Sequence, residues 1–433
     1  MLLIYTEEIT SRLEYIFDFI FNEILGINFE ITENKNSFIE NKNHQKINYS
    51  KKEFSNILFL YSKNLLFEKE IKNQNFKNFF FEKNGVFFNK SFFHFDIFAA
   101  SFYLISRYEE YLPFEKDIHN RYSAKNSTAY KNNFLQKPII NIWANDFFEK
   151  LKIYFPNLKK KKIHFEYIFT IDVDNAYAYL NKNFFLVFGS FFKSFLKFDF
   201  NNNLQRFKTI FGFQKDKFDN FDYLENLRKK YNLKIIYFFL FGKYKKFDRN
   251  ISIRNKTFQK LIKNLEKNNE IGIHPTYFSN EKKEILNEEI LNLSKLIKKK
   301  ITKSRQHYLK LEFPDTYQNL EKFGIKEDYT MGYADEIGFR ASTSTAFYFY
   351  NLSKEKRSNL KIYSFAFMEV SLKNYLKYSP NFSKKKIYEM ILYVKKYGGT
   401  FISLWHNESL SDKYEWKNWR NVLKETIKFI NKK

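Results

Sequence analysis

From Ile163 onward the chain alternates between short apolar runs and amphipathic stretches, and this alternation narrows the possible folds more than any other feature. Strand-like runs fall at 163–171, 234–241, 270–274, 301–308, 325–330, 361–368 and 400–405. Between most of them lie segments with helical spacing, at 219–231, 252–268, 280–300, 315–323, 383–397 and 415–431. Such alternation predicts helices packed on a parallel sheet, either a (β/α) barrel or an open sheet. In both, the chemistry gathers at the C-terminal ends of the strands.

The first 155 residues read as a separate, smaller α+β unit. Ile9–Phe29 has helical periodicity, 56–61 and 85–88 read as short strands, and 95–111 as a helix closed by Pro113. Arg107, Glu109 and Glu110 near that helix's end are expected to be an ordinary solvated cluster. Leu151–Lys162, with Pro156 and four consecutive lysines, marks the boundary before a second unit over 163–433. The phenylalanine-rich stretch 181–215 fits no barrel helix and reads as an insertion over the mouth or against the first unit.

Composition excludes more than it identifies. With no cysteine there are no disulfides, no thiolate metal sites and no cysteine nucleophile. No apolar run approaches the ~20 residues that span a bilayer, and the N-terminus lacks the pattern of a signal peptide, so a cytoplasmic protein is expected. The net charge of +26 invites a nucleic-acid partner. The lysines are scattered, however, and Lys, Asn, Ile, Phe and Tyr are together the residues of AT-rich codons, so the charge is assigned to composition.

The strand ends hold the chemistry. The first ends Thr170-Ile171-Asp172-Val173-Asp174, placing two carboxylates on one side of a strand. Burying them calls for a cation or donors nearby. The third ends at His274, the fourth carries Arg305 and His307, the fifth Asp328, and the last Trp405 and His406; Arg340 follows the fifth. All three histidines beyond Asp174 sit at strand ends, whereas His44, His94, His119 and His164 show no such pattern. Carboxylate and imidazole suit Zn²⁺ or a similar divalent ion. Arg340, Asp328 and Trp405 are candidates for orienting a substrate or stabilising an oxyanion.

These residues resemble the polysaccharide deacetylase family, metal-dependent enzymes that remove N-acetyl groups from sugars on a distorted barrel of seven or eight strands. Thr170-Ile171-Asp172-Val173-Asp174 is similar to its first motif, Gly272-Ile273-His274-Pro275 to its second, and Leu404-Trp405-His406 loosely to its last. The resemblance implies Asp172 as catalytic base, Asp174 and His274 as metal ligands, His406 as general acid and Arg305 as the arginine orienting the base. The whole chain, including Ser106–Pro113, is similar to two-domain deacetylase-like proteins of Bacteroidetes. The second motif departs from the family: Thr276-Tyr277-Phe278-Ser279 supplies no second histidine. His307 is the replacement expected, because adjacent strands lie ~4.8 Å apart and their ends can meet at one ion. The expectation is a hydrolase of N-acetylated sugars. A barrel without catalysis that binds a glycan or a protein is the alternative, and 55 Phe and 31 Tyr would suit sugar stacking.

Overall fold

Every second residue of a strand faces the same way, and in β5 (Phe165–Val173) that rule divides the apolar side chains between two cores. Phe169, Ile171 and Val173 join a large outer core with Ile235, Tyr237 and Phe239 of β6 (Lys234–Phe239). Ile168 joins a small inner cluster with Ile236 and Phe238. β13 (Gly399–His406) repeats the division, with Phe401 and Trp405 outward and Ile402 and Leu404 inward. The computed structural model describes residues 1–42, 44–74, 95–181 and 200–432.

The remaining strands are β7 (Glu270–Ile273), β8 (Lys303–Ser304), β9 (Glu327–Asp328), β10 (Phe347–Asn351), β11 (Lys356–Ile362) and β12 (Phe367–Met368). Together they form a nine-stranded sheet in the order β10-β11-β9-β8-β7-β6-β5-β13-β12. Every pairing is parallel except the β10–β11 hairpin. Between β11 and β12, the N–H groups of Tyr363 and Phe365 donate to Asp328 and Met331 on one side, while Ala366 donates to Ile402 on the other. That single segment therefore reaches from β9 to β13.

Helices follow the strands at Phe221–Tyr231, Lys256–Glu266, Lys283–Ile297, Asp315–Lys322, Pro380–Tyr397 and Trp419–Asn431. Two of their starts carry side-chain caps: Asn255 accepts from Phe258 N–H, and Ser379 from Phe382 N–H with Pro380 in the first turn. Among the described residues no helix is long and apolar enough to cross a membrane. The expected strand 85–88 and His94 lie outside the described residues, as does 182–199 of the phenylalanine-rich stretch, whose end forms a helix at Phe200–Ile210.

The N-terminal region holds a parallel four-stranded sheet, β2-β1-β3-β4, from β1 (Leu2–Tyr5), β2 (Phe29–Thr32), β3 (Gln45–Ser50) and β4 (Leu58–Tyr61). The expected first helix is α-helical over Ser11–Phe17 and widens to a π-helix over Asp18–Leu25. It ends at Gly26, whose φ of 65° suits glycine. This helix packs on the β10–β11 hairpin, an element the alternation does not announce. Arg12 donates to both carboxylate oxygens of Glu355, and Tyr15 Oη to the Tyr348 carbonyl. One continuous apolar core runs from Leu2 to Ile430 through both regions.

The helix expected at 95–111 is shorter, Ile97–Ile105, and the solvated cluster at its end is a correction. Arg107, Glu109 and Glu110 are buried. Arg107 donates to Glu109 at 2.9 Å and to Glu110 at 2.7 Å, and Arg340 clasps Glu110 with two nitrogens. Burial alone would raise the Glu110 pKa, but Arg340 and Arg107 hold it below its ordinary value. A carboxylate between two guanidiniums can be buried where three charges of mixed sign would otherwise be costly. Removing Glu110 leaves Arg340 uncompensated and Arg107 with Glu109 alone, so Glu110→Gln is expected to lower stability by about 3–5 kcal/mol in urea unfolding.

Candidate active site

The inward-facing positions of the sheet converge on one cavity of about 570 Å³ at the strands' C-terminal ends. Asp172 ends the inward series of β5 and pairs across the ladder with His406 of β13. His274 follows β7, where Gly272 also faces inward; a Cβ there would lie 2.5 Å from the Phe238 ring. β8 aligns Ser304 with Ile273, so that Arg305 and His307 emerge beside His274. The rings of His274 and His307 lie 4.9 Å apart.

Asp174, His274 and His307 each point one ligand atom at a common position, all within 4.8 Å of one another, an arrangement that could hold a divalent metal. Asp174 Oδ1 is 3.3 Å from His274 Nε2, and Oδ2 is 3.6 Å from His307 Nε2. Each ring is oriented from behind. His274 Nδ1 lies 2.6 Å from the Arg305 carbonyl; since a carbonyl only accepts, Nδ1 carries a proton and Nε2 is the nitrogen turned toward Asp174. His307 Nδ1 is 2.9 Å from Asp248 Oδ1. Asp174 Oδ1 is buried without a hydrogen-bond donor and faces His274 Nε2. A carboxylate oxygen and an imidazole nitrogen 3.3 Å apart fit a shared divalent cation.

Electrostatics agree with the geometry. Burial would raise the Asp174 pKa, but His307 and His274 hold it well below the ordinary value. Burial would lower the His307 pKa, yet Asp174 and Asp248 raise it to about 9. Without a metal, a proton on His307 thus balances Asp174.

Two further pairs flank this group. Arg305, fully buried, donates to Asp172 Oδ1 at 3.0 Å, to Thr170 Oγ1 at 2.7 Å and to the Tyr329 carbonyl at 2.9 Å. Asp172 Oδ2 is left 3.8 Å from His274 Nε2. His406 Nδ1 lies 2.8 Å from Glu369 Oε1, which also accepts the His406 N–H. Burial opposes charge on His406, but Glu369 raises its pKa to about 10.

Three of the expected residues lie elsewhere. Trp405 faces outward, packing at 6.4 Å on Trp419, because it alternates with the inward Leu404 and His406. Asp328 also falls on the outward parity of its strand, where Ser304 and Thr330 satisfy it. Arg340 is buried against Glu110 at the junction of the two regions. None of the three lines the cavity. Asp248 and Glu369 were not singled out from the sequence, since each is an isolated acid far from the histidine it orients. The N-terminal region also contributes: Arg121 lines the cavity, holding the Tyr308 carbonyl at 2.8 Å, and His119 packs 4.7 Å from the Tyr308 ring.

Residues 2–156 match a family of unknown function, DUF7033. No curated protein matches the chain. Matching solved structures include a polysaccharide deacetylase from Mycobacterium smegmatis, at 11% identity and TM-score 0.38, covering 62% of this chain and 85% of that one. The Puue allantoinase matches at 10% identity and TM-score 0.38 over 62% and 83% of the two chains. A polysaccharide deacetylase from Pseudomonas aeruginosa PAO1 matches at 10% and 0.38 over 62% and 85%.

Two outcomes follow from this geometry. Metal uptake is expected to displace the His307 proton, so affinity rises with pH and levels off near 9, with about one proton released per ion in calorimetry across buffers. Asp248→Asn is expected to weaken chelator-measured affinity about 10- to 100-fold, whereas His274→Ala and His307→Ala abolish binding. The raised His406 pKa also has a stability sign. Its ion pair with Glu369 contributes fully below the ordinary value of 6.5 and is lost as pH rises toward about 10. Unfolding of metal-free Glu369→Gln should therefore differ most from wild type near pH 6 and less as pH rises toward about 10.

Proposed function

We propose that this protein is a metal-dependent hydrolase that removes an N-acetyl group from an amino sugar. The observation that supports this best is the convergence of Asp174, His274 and His307 beside two differently furnished groups, Asp172 with Arg305 and His406 with Glu369. One carboxylate and two imidazoles suit Zn²⁺ and leave a coordination position open. A divalent ion there would polarise the acyl carbonyl and acidify the attacking water.

The chain's own residues supply the proton transfers. Asp172, aimed by Arg305 through Oδ1, takes the proton from water with Oδ2 as the oxygen attacks the carbonyl carbon. His406, protonated through neutrality by Glu369, gives a proton to the nitrogen as the C–N bond breaks. Acetate and a free amine leave. Base and acid lie on adjacent strands, Asp172 paired across the ladder with His406.

The cavity suits a sugar. Phe247, Tyr308, Tyr375 and Trp416 line it, offering aromatic faces to ring C–H groups. The framework is read as a distorted barrel in which the segment from β11 to β12 joins β9 to β13, supported by the inner cluster that β5, β6, β13 and this segment share.

Acetate release from N-acetylated sugars by the Zn²⁺-loaded protein tests the reading. Asp172→Asn and His406→Ala should each lower kcat by about 10²- to 10⁴-fold while metal content stays at one equivalent. Full activity in both variants, or none in the loaded wild type across a panel of such sugars, would sink it.

A further inference from the structure

The cavity's carboxylates are nearly all answered, but two of its cations are not. Lys246 and Arg249 line it from the loop after β6, flanking Asp248, which turns inward to His307. Both are exposed, and among the described residues neither side chain has a hydrogen-bond or ion-pair partner; Lys246 only lies over the Phe247 ring at 5.2 Å. The third cation of the lining differs. Arg121 is held by Asp117 at 2.8 Å and by the Tyr308 carbonyl, so its charge is already balanced.

Among the acids of the lining, Asp172 faces Arg305, Asp174 faces two histidines, and Glu408 is itself engaged. The two charged side chains of the lining left without a partner among the described residues are thus both cations. They sit on the loop that carries Asp248, so their position relative to His307 is fixed by the Asp248–His307 hydrogen bond and by the bond from Tyr277 N–H to Asp248 at 2.8 Å. Exposed lysines are common in a chain of charge +26 and by themselves mean nothing. This pair differs because both side chains line the same cleft as the proposed catalytic groups, where low-dielectric walls concentrate the field. Phe247 and Tyr308, with ring centroids 5.8 Å apart, form the aromatic wall between these cations and His307.

We propose that Lys246 and Arg249 recognise an anionic group carried by the sugar, a phosphate or a carboxylate, so that the substrate is a negatively charged N-acetyl amino sugar. This rests on the hydrolase reading for the acetyl group but not for the anion, and the two can be tested apart.

Binding of N-acetylglucosamine, N-acetylglucosamine 1-phosphate and N-acetylmuramic acid to Zn²⁺-loaded, full-length Asp172→Asn protein would be measured by calorimetry, alongside acetate release by the wild type. At least one anionic sugar is expected to bind about tenfold tighter than the neutral one, with the advantage shrinking as salt rises. Lys246→Ala/Arg249→Ala should erase that advantage and leave neutral-sugar affinity unchanged. The tighter of the two anionic sugars assigns phosphate or carboxylate. Equal affinity for charged and neutral sugars, or an anionic preference that survives the double variant, overturns the proposal. If acetate is still released, the hydrolase reading stands without it. Anionic preference without acetate release leaves the anion site and sinks the hydrolase, and binding of none of the three overturns both.

Discussion

A guanidinium enclosed by the strands is the contact on which the centre of this molecule depends. Arg305 is buried with its Nε and Nη1 donors met by three groups from two other segments, Thr170, Asp172 and the Tyr329 carbonyl, and with Nη2 left without a hydrogen bond among the described residues. Its guanidinium carbon also lies 4.7 Å from the centre of the Phe238 ring and 5.5 Å from that of Phe365. It thereby ties β5, β6 and the ends of β8 and β9 together inside the sheet. The same contact fixes the orientation of Asp172, so fold and chemistry share one constraint. A cost of several kcal/mol for leaving such a charge unpaired explains why the surrounding groups are so fully determined.

Much of this was legible in one dimension. The β–α alternation after Ile163 announced the sheet and six helices, since periodicity is a local property of sequence. The pair Asp172 and Asp174 was legible because a two-residue spacing on a strand fixes a common face. The grouping of His274 with His307 rested on a physical distance, the spacing of neighbouring strands, and needed only that β7 and β8 be adjacent.

What was not legible depends on parity and on distant partners. Asp328 and Trp405 sit at strand ends as expected but one residue out of phase with the cavity, and the two-residue β9 is too short for its phase to be read. Arg340 and Glu110 meet across 230 positions of sequence, so a helix end that looks solvated becomes the inside of a junction. Asp248 and Glu369 have the same character: their roles come from folding, which brings each to the back of a histidine. The hairpin β10–β11 escaped because it serves the N-terminal region and interrupts the alternation.

The thinness of one seam has a consequence for the whole. β7 and β8 are paired at a single register position, Ile273 with Ser304, the shortest pairing in the sheet. His274 and His307 stand immediately beyond it, one from each strand. An ion gripped by both would act as a rivet across the joint where the ladder is shortest. Cohesion and reactivity would then rest on the same side chains, and the loaded and unloaded proteins would differ in rigidity at the place where the substrate is proposed to bind.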